Sequence, residues 1–118
     1  KIEKTEGCVD WTLDSGAVVR RINGTDPFPG AYSIFEHGGK TVKIKVFSPE
    51  ALPGFKGGDA VPGTVVTADS KEGLTVRTGS GAVRIGEVQL PGRKRMKTSD
   101  FFKGNSIVPG TILGAQQA

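Results

Sequence analysis

Residues 63–89 read GTVVTADSKEGLTVRTGSGAVRIGEVQ. Three runs rich in Val, Thr and Ile, from Gly63 to Ala68, Leu74 to Thr78 and Ala82 to Gln89, are separated by Asp69 to Gly73 and by Gly79-Ser80-Gly81. β-Branched side chains suit a pleated surface, while Gly, Asp and Ser suit tight turns, so the stretch predicts three consecutive strands joined by hairpin turns. Gly79-Ser80-Gly81 is a turn rather than a nucleophile elbow, because an elbow needs a following helix and a strand pattern follows instead.

Working outward, Lys40 to Phe47 alternates, with Val42, Ile44 and Val46 on one face and Thr41, Lys43 and Lys45 on the other. That is a half-buried strand. Ala31 to Phe35 reads as a strand before it, with Gly38-Gly39 as the turn between them. Pro49 through Pro62 holds too many prolines and glycines for regular structure and is expected to be a surface loop. Asp14 or Ser15 can cap a short helix carrying Val18 and Ile22 on its core side, stopped by Asn23-Gly24 and Asp26-Pro27. Pro27-Phe28-Pro29-Gly30 then sets an extended path and a turn. A second short helix, Thr98 to Lys103, is expected to start from the hydroxyl of Thr98 or Ser99. The fold class is therefore mostly β: a small barrel of the oligonucleotide-binding type, with about five or six strands and one or two short helices. Closing a barrel would hide the edges of such short strands.

At 118 residues the chain has room for one core. Lys1 to Gly7 is polar and reads as an interdomain linker, with the domain proper running from Cys8 to Ala118. Cys8 is the sole cysteine, which excludes an internal disulfide and a two-cysteine metal site and fits a reducing cytoplasm. No apolar run approaches the roughly 20 residues needed to span a bilayer, and the first residues lack the apolar core of a signal peptide. A soluble, cytoplasmic protein is expected.

Charge is unevenly distributed. Residues 77–103 carry seven basic side chains, Arg77, Arg84, Arg93, Lys94, Arg95, Lys97 and Lys103, against Glu87 and Asp100, whereas the preceding 76 residues hold nine basic and ten acidic ones. Such segregation is the footprint of a polyanion binder. The chemistry of catalysis is missing: His37 is the sole histidine and sits beside a glycine turn, no glycine-rich phosphate loop opens a helix, and no serine has a base partner. Asp69 and Glu72 fall in a turn and serve solubility. No cofactor or metal site is expected in this chain.

Three ordered stretches carry a further pattern: Glu6-Gly-Cys-Val-Asp-Trp11, Asp26-Pro-Phe-Pro-Gly-Ala-Tyr32, and Val88-Gln-Leu-Pro-Gly-Arg-Lys-Arg-Met-Lys-Thr-Ser-Asp-Phe-Phe-Lys-Gly104. Together with Pro62 to Val65, Gly79 to Gly86 and Pro109 to Gly114, they resemble the C-terminal domain of methionyl-tRNA formyltransferase. The resemblance implies an oligonucleotide-binding-type barrel that helps to hold initiator methionyl-tRNA. It also implies a separate N-terminal Rossmann-like catalytic domain of the same polypeptide, which binds 10-formyltetrahydrofolate. On it, Lys1 and Lys4 fall where the family's linker has lysines, and Arg93, Lys94, Arg95 and Lys97 fall on its glycine-basic-basic stretch. Lys43 and Lys45, on the polar face of their strand, join these candidates, as do Arg20 and Arg21 on the first helix. The chain departs from the family at Ile22-Asn23, where Ile-Arg is usual before the Pro-aromatic-Pro-Gly segment. Trp11, Phe28 and Tyr32 fall on packing positions. Two other readings are compatible with the same residues: an accessory C-terminal domain of a folate- or nucleotide-sugar-linked formyltransferase, and a structural or interaction domain without RNA binding.

Overall fold

A computed structural model describes residues 9–25, 31–37, 40–55 and 61–113, apart from the side chains of Thr25, Glu36, His37, Lys40 and Thr41. Lys1, Lys4 and the linker, the Asp26 to Gly30 segment, Gly38-Gly39 and the middle of the expected loop, residues 56–60, lie outside the described residues. The order is α1 (Ser15–Thr25), β1 (Ala31–His37), β2 (Lys40–Leu52), β3 (Val65–Asp69), β4 (Gly73–Arg77), β5 (Ala82–Gln89), β6 (Met96–Lys97) and α2 (Thr98–Gly104).

Six strands form one antiparallel sheet in the order β1-β2-β5-β4-β3, with β6 added to β5. The three strands read from residues 63–89 are all present, and Ala82–Gln89 has the expected limits. Asp69 builds the first turn by accepting on Oδ1 from the amides of Lys71 and Glu72. The second is closed by Thr78 N donating to Gly81 O at 3.1 Å. The class is mostly β and oligonucleotide-binding-like, but the sheet stays open. Its two edges are covered by chain segments rather than by each other. Val9 N donates to Tyr32 O at 2.8 Å on the β1 edge, while Val65 N to Thr111 O and Leu113 N to Gly63 O, both 2.8 Å, lay the C-terminal segment along β3.

The core lies on the face of the sheet that α1 covers. Val18 and Ile22, four apart on α1, belong to one buried cluster with Ile44 and Val46 of β2, Leu74 and Val76 of β4, and Val83, Ile85 and Val88 of β5. Asp14, not Ser15, starts α1: its Oδ1 accepts from Ala17 N at 2.8 Å. Trp11 packs into the same cluster, and its indole N–H donates to buried Ser33 Oγ at 3.0 Å, so the ring is sunk without stranding a polar group.

Three local expectations differ from the structure. The loop expected from Pro49 begins later, because β2 runs on through Pro49 to Leu52 and stays paired to β5. Ser48 has φ 54, an irregularity at which a residue without an amide proton can enter the strand. Opposite it stands Gly86, where a Cβ would lie 3.1 Å from Ser48 Cβ and from Ser48 O. Pairing to a partner strand therefore overrides local composition. α2 begins without a side-chain cap. The Thr98 hydroxyl donates instead to Ile85 O at 3.1 Å and Gly86 O at 3.3 Å, tying the helix to β5. β6 was not anticipated, since two residues are too few for periodicity to register.

Candidate nucleic-acid interface

The alternation along β2 sends Ile44 and Val46 to the core and Lys43, Lys45 and Phe47 to the outer face. Register then extends this face sideways. Lys45 stands between Tyr32 of β1 and Gln89 of β5, and Phe47 stands opposite Glu87, which in turn stands opposite Lys97 of β6. Tyr32 and Phe47 are both buried, yet neither belongs to the core cluster. They are covered from outside by cations: Lys43 Nζ lies 4.2 Å from the Tyr32 ring centre and the Arg95 guanidinium 4.0 Å from that of Phe47. Each such contact contributes about 0.5–1 kcal/mol at an exposed position.

Arg95 is held twice. Its Nη2 and Nε approach Glu87 Oε1 at 2.6 and 2.8 Å, and Ser48 Oγ donates to the same oxygen at 3.0 Å. The hydrogen bond from Arg95, then that from Ser48, holds the Glu87 carboxyl below its ordinary value of 4.5. A depressed carboxyl contributes stability above its unfolded-state pKa and loses it as pH falls through the folded value. Glu87→Gln should therefore be less stable than the parent at neutral pH, and the gap should close on acidification below 4.5. Urea midpoints measured across that range check it. A gap that stays constant with pH would show that the ionised carboxylate is not what matters.

Beyond β5, Leu90-Pro91-Gly92-Arg93 forms a turn closed by Arg93 N donating to Leu90 O at 3.0 Å. Proline in second place and glycine at φ 74 in third are the residues a type II turn requires. Gln89 Nε2 donates to Arg93 O at 2.8 Å and steadies it. Lys43 and Lys45 border a hollow of about 210 Å³ with Gln89 and Leu90 to Gly92, so the turn and the two lysines are neighbours. Arg93 and Lys94 are exposed on the far side of the turn, facing Phe101 of α2 and Asn105 just after it.

The structure thus places Lys43, Lys45, Arg95 and Lys97 on the outer faces of β2, β5 and β6, with Arg93 and Lys94 beyond the adjoining turn on its α2 side. It separates Arg20 and Arg21 from them. Both are exposed on α1, which packs through Val18 and Ile22 against the opposite side of β2. Arg21 adds a small attraction to Asp10, whose carboxyl is lowered chiefly by the hydroxyl and amide of Thr12. Arg77, part of the basic stretch, is structural: its Nη1 donates to Gly81 O at 2.9 Å. Phe47 was missed as a member of the outer face, although its spacing from Lys43 and Lys45 already put it there. Among the described residues no group of three or more His, Cys, Asp or Glu could hold a metal ion, and no helix is long and apolar enough to cross a membrane.

Residues 1–106 match the sequence profile of the family described as formyl transferase, C-terminal domain. The chain belongs to that family. Among its relatives, methionyl-tRNA formyltransferase from Bradyrhizobium sp. is 39% identical over 97% of this chain and 34% of the relative. The enzyme of the same name from Ralstonia nicotianae is 39% identical over 93% of this chain and 32% of the relative. The chain thus spans about a third of the length of these curated relatives. A solved structure of a variant of HypX from Aquifex aeolicus superposes with a TM-score of 0.58 at 26% identity, covering 88% of this chain and 18% of that one.

Proposed function

We propose that this chain is the tRNA-holding domain of a methionyl-tRNA formyltransferase, which positions initiator methionyl-tRNA for N-formylation in the cytoplasm at the start of translation. Formyl transfer belongs to an N-terminal Rossmann-like catalytic domain of the same polypeptide, with 10-formyltetrahydrofolate as donor. The similarity to enzymes of that name over nearly the whole chain supports the substrate class. The observation that carries the role of this domain is the outer face. Lys43 and Lys45 lie on it, Arg93 and Lys94 extend the charge around the adjoining turn, and none of the four makes an ion pair with a described residue.

Cations arranged in this way neutralise backbone phosphates, and each neutralised phosphate releases counterions. Ammonium and guanidinium contacts to phosphate carry no base identity, so the face supplies affinity and orientation rather than sequence discrimination. Pinning the body of the tRNA brings its aminoacyl end to the transfer site, which is a contribution of proximity. Lys1 and Lys4 would extend the footprint along the linker.

Titrating the chain into initiator tRNA at low and physiological salt tests this. With about five phosphates neutralised, affinity should fall by roughly 100- to 500-fold between about 50 and 200 mM salt. Failure to bind at either salt would transfer the domain to the accessory role in a folate- or nucleotide-sugar-linked formyltransferase.

A further inference from the structure

A second hollow, about 250 Å³, lies where the β3–β4 turn, β5 and the start of α2 meet. Lys71 enters it from the turn, Arg84 from β5 and Lys97 from the end of β6, with Ser70 and Ser99 beside them. At Gly73, with φ 80, a Cβ would stand 3.1 Å from Thr98 Oγ1 and 3.8 Å from Arg84 Nε. The exposed Arg84 side chain therefore passes close to the glycine backbone at the rim of the hollow. Glu50, opposite Arg84 in the ladder, is the single acid on the rim.

Neither the Lys71 ammonium nor the Arg84 guanidinium makes a hydrogen bond or ion pair with a described residue. Three cations facing one carboxylate across a small concavity repel one another, and an anion placed between them relieves that repulsion. A tetrahedral phosphate suits these donors: guanidinium offers parallel N–H groups, and the ammonium and hydroxyl groups take the remaining oxygens. Lys97 borders the hollow and also ends the outer-face row through its pairing with Glu87. The hollow is thus continuous with the face already described.

We infer that this hollow takes one backbone phosphate of bound RNA through Lys71, Arg84 and Lys97, so that the RNA track turns from the outer face toward the β3–β4 turn. The inference rests on the tRNA-holding role proposed above. Three variants of the chain, each compared with the parent for tRNA binding as a function of salt, test it: Lys71→Glu with Arg84→Gln, the charge-conserving Lys71→Arg with Arg84→Lys, and Lys43→Glu with Lys45→Glu. The first should weaken binding by about tenfold and lower the salt slope by about one unit, while the second should bind like the parent. Lys71→Glu alone, in an exposed turn, should show part of the loss even if the Arg84 change disturbs folding. Parent-like binding by both Lys71→Glu variants, with binding lost in the Lys43 and Lys45 variant, would overturn this inference and leave the tRNA-holding role intact. Absence of binding by the parent would remove both.

Discussion

Gly79→Ala should lower the stability of the domain by at least about 3 kcal/mol, enough to leave much of it unfolded. A Cβ at this position would stand 1.9 Å from Thr12 O and 2.8 Å from Thr12 C, both backbone atoms that no rotamer can move aside. The contact is close because the 9–15 segment is tied to the β4–β5 turn. Gly79 N donates to Leu13 O at 2.9 Å and Ser15 N to Ser80 O at 3.0 Å. Pushing that segment off would draw Val9 and Trp11 from the core and break the Trp11–Ser33 hydrogen bond. Trp11 is the sole tryptophan, so urea unfolding followed by its fluorescence reports the loss directly. Gly24→Ala is the matched control: a Cβ there meets nothing within 4 Å, and stability should hold or rise by up to about 1 kcal/mol. A Gly79→Ala midpoint close to the parent's would mean that the 9–15 segment is not docked on the turn.

Reversing Lys43, Lys45, Arg93 and Lys94 together to glutamate should weaken tRNA binding by two orders of magnitude or more at about 50 mM salt and reduce the salt slope by about three units. The fold should survive, because all four side chains lie outside the core cluster and the largest local loss is the contact of Lys43 with Tyr32. Arg95 is left in place deliberately. Reversing it would set a new carboxylate against Glu87 and uncover Phe47, so a loss of binding would be confounded with a loss of structure. Retention of affinity by the fourfold variant would show that the outer face is simply a solvated surface.

Much of this was legible in the residues themselves. Alternation from Lys40 to Phe47 separated a lysine face from an apolar one, glycine and aspartate marked the turns, and the spacing of Val18 and Ile22 placed one helix face in the core. These signals are local: side-chain direction follows from strand or helix periods, and turn residues follow from allowed backbone angles. The concentration of charge in residues 77–103 was equally plain, but its division of labour was not. Arg77 hydrogen-bonds a neighbouring turn and Arg95 lies locked on Glu87 and Phe47, while Arg93 and Lys94 stand exposed, although all four belong to one basic stretch.

By itself, then, the sequence determined the class of fold, most of its strands and turns, and the concentration of positive charge in residues 77–103. The tertiary structure decided which cations share a face. Pairing of β2 with β5 brought Lys45 beside Gln89 and the turn that follows it, carried Pro49 into a strand, and set Lys43 and Lys45 on the opposite side of the sheet from α1 with its Arg20 and Arg21. It also turned the Thr98 hydroxyl from a helix cap into a tie to β5. The reason is the range of the interactions. Periodicity and turn chemistry act between residues a few positions apart, whereas strand register joins residues some forty positions apart and is settled by burying both strands' apolar faces at once.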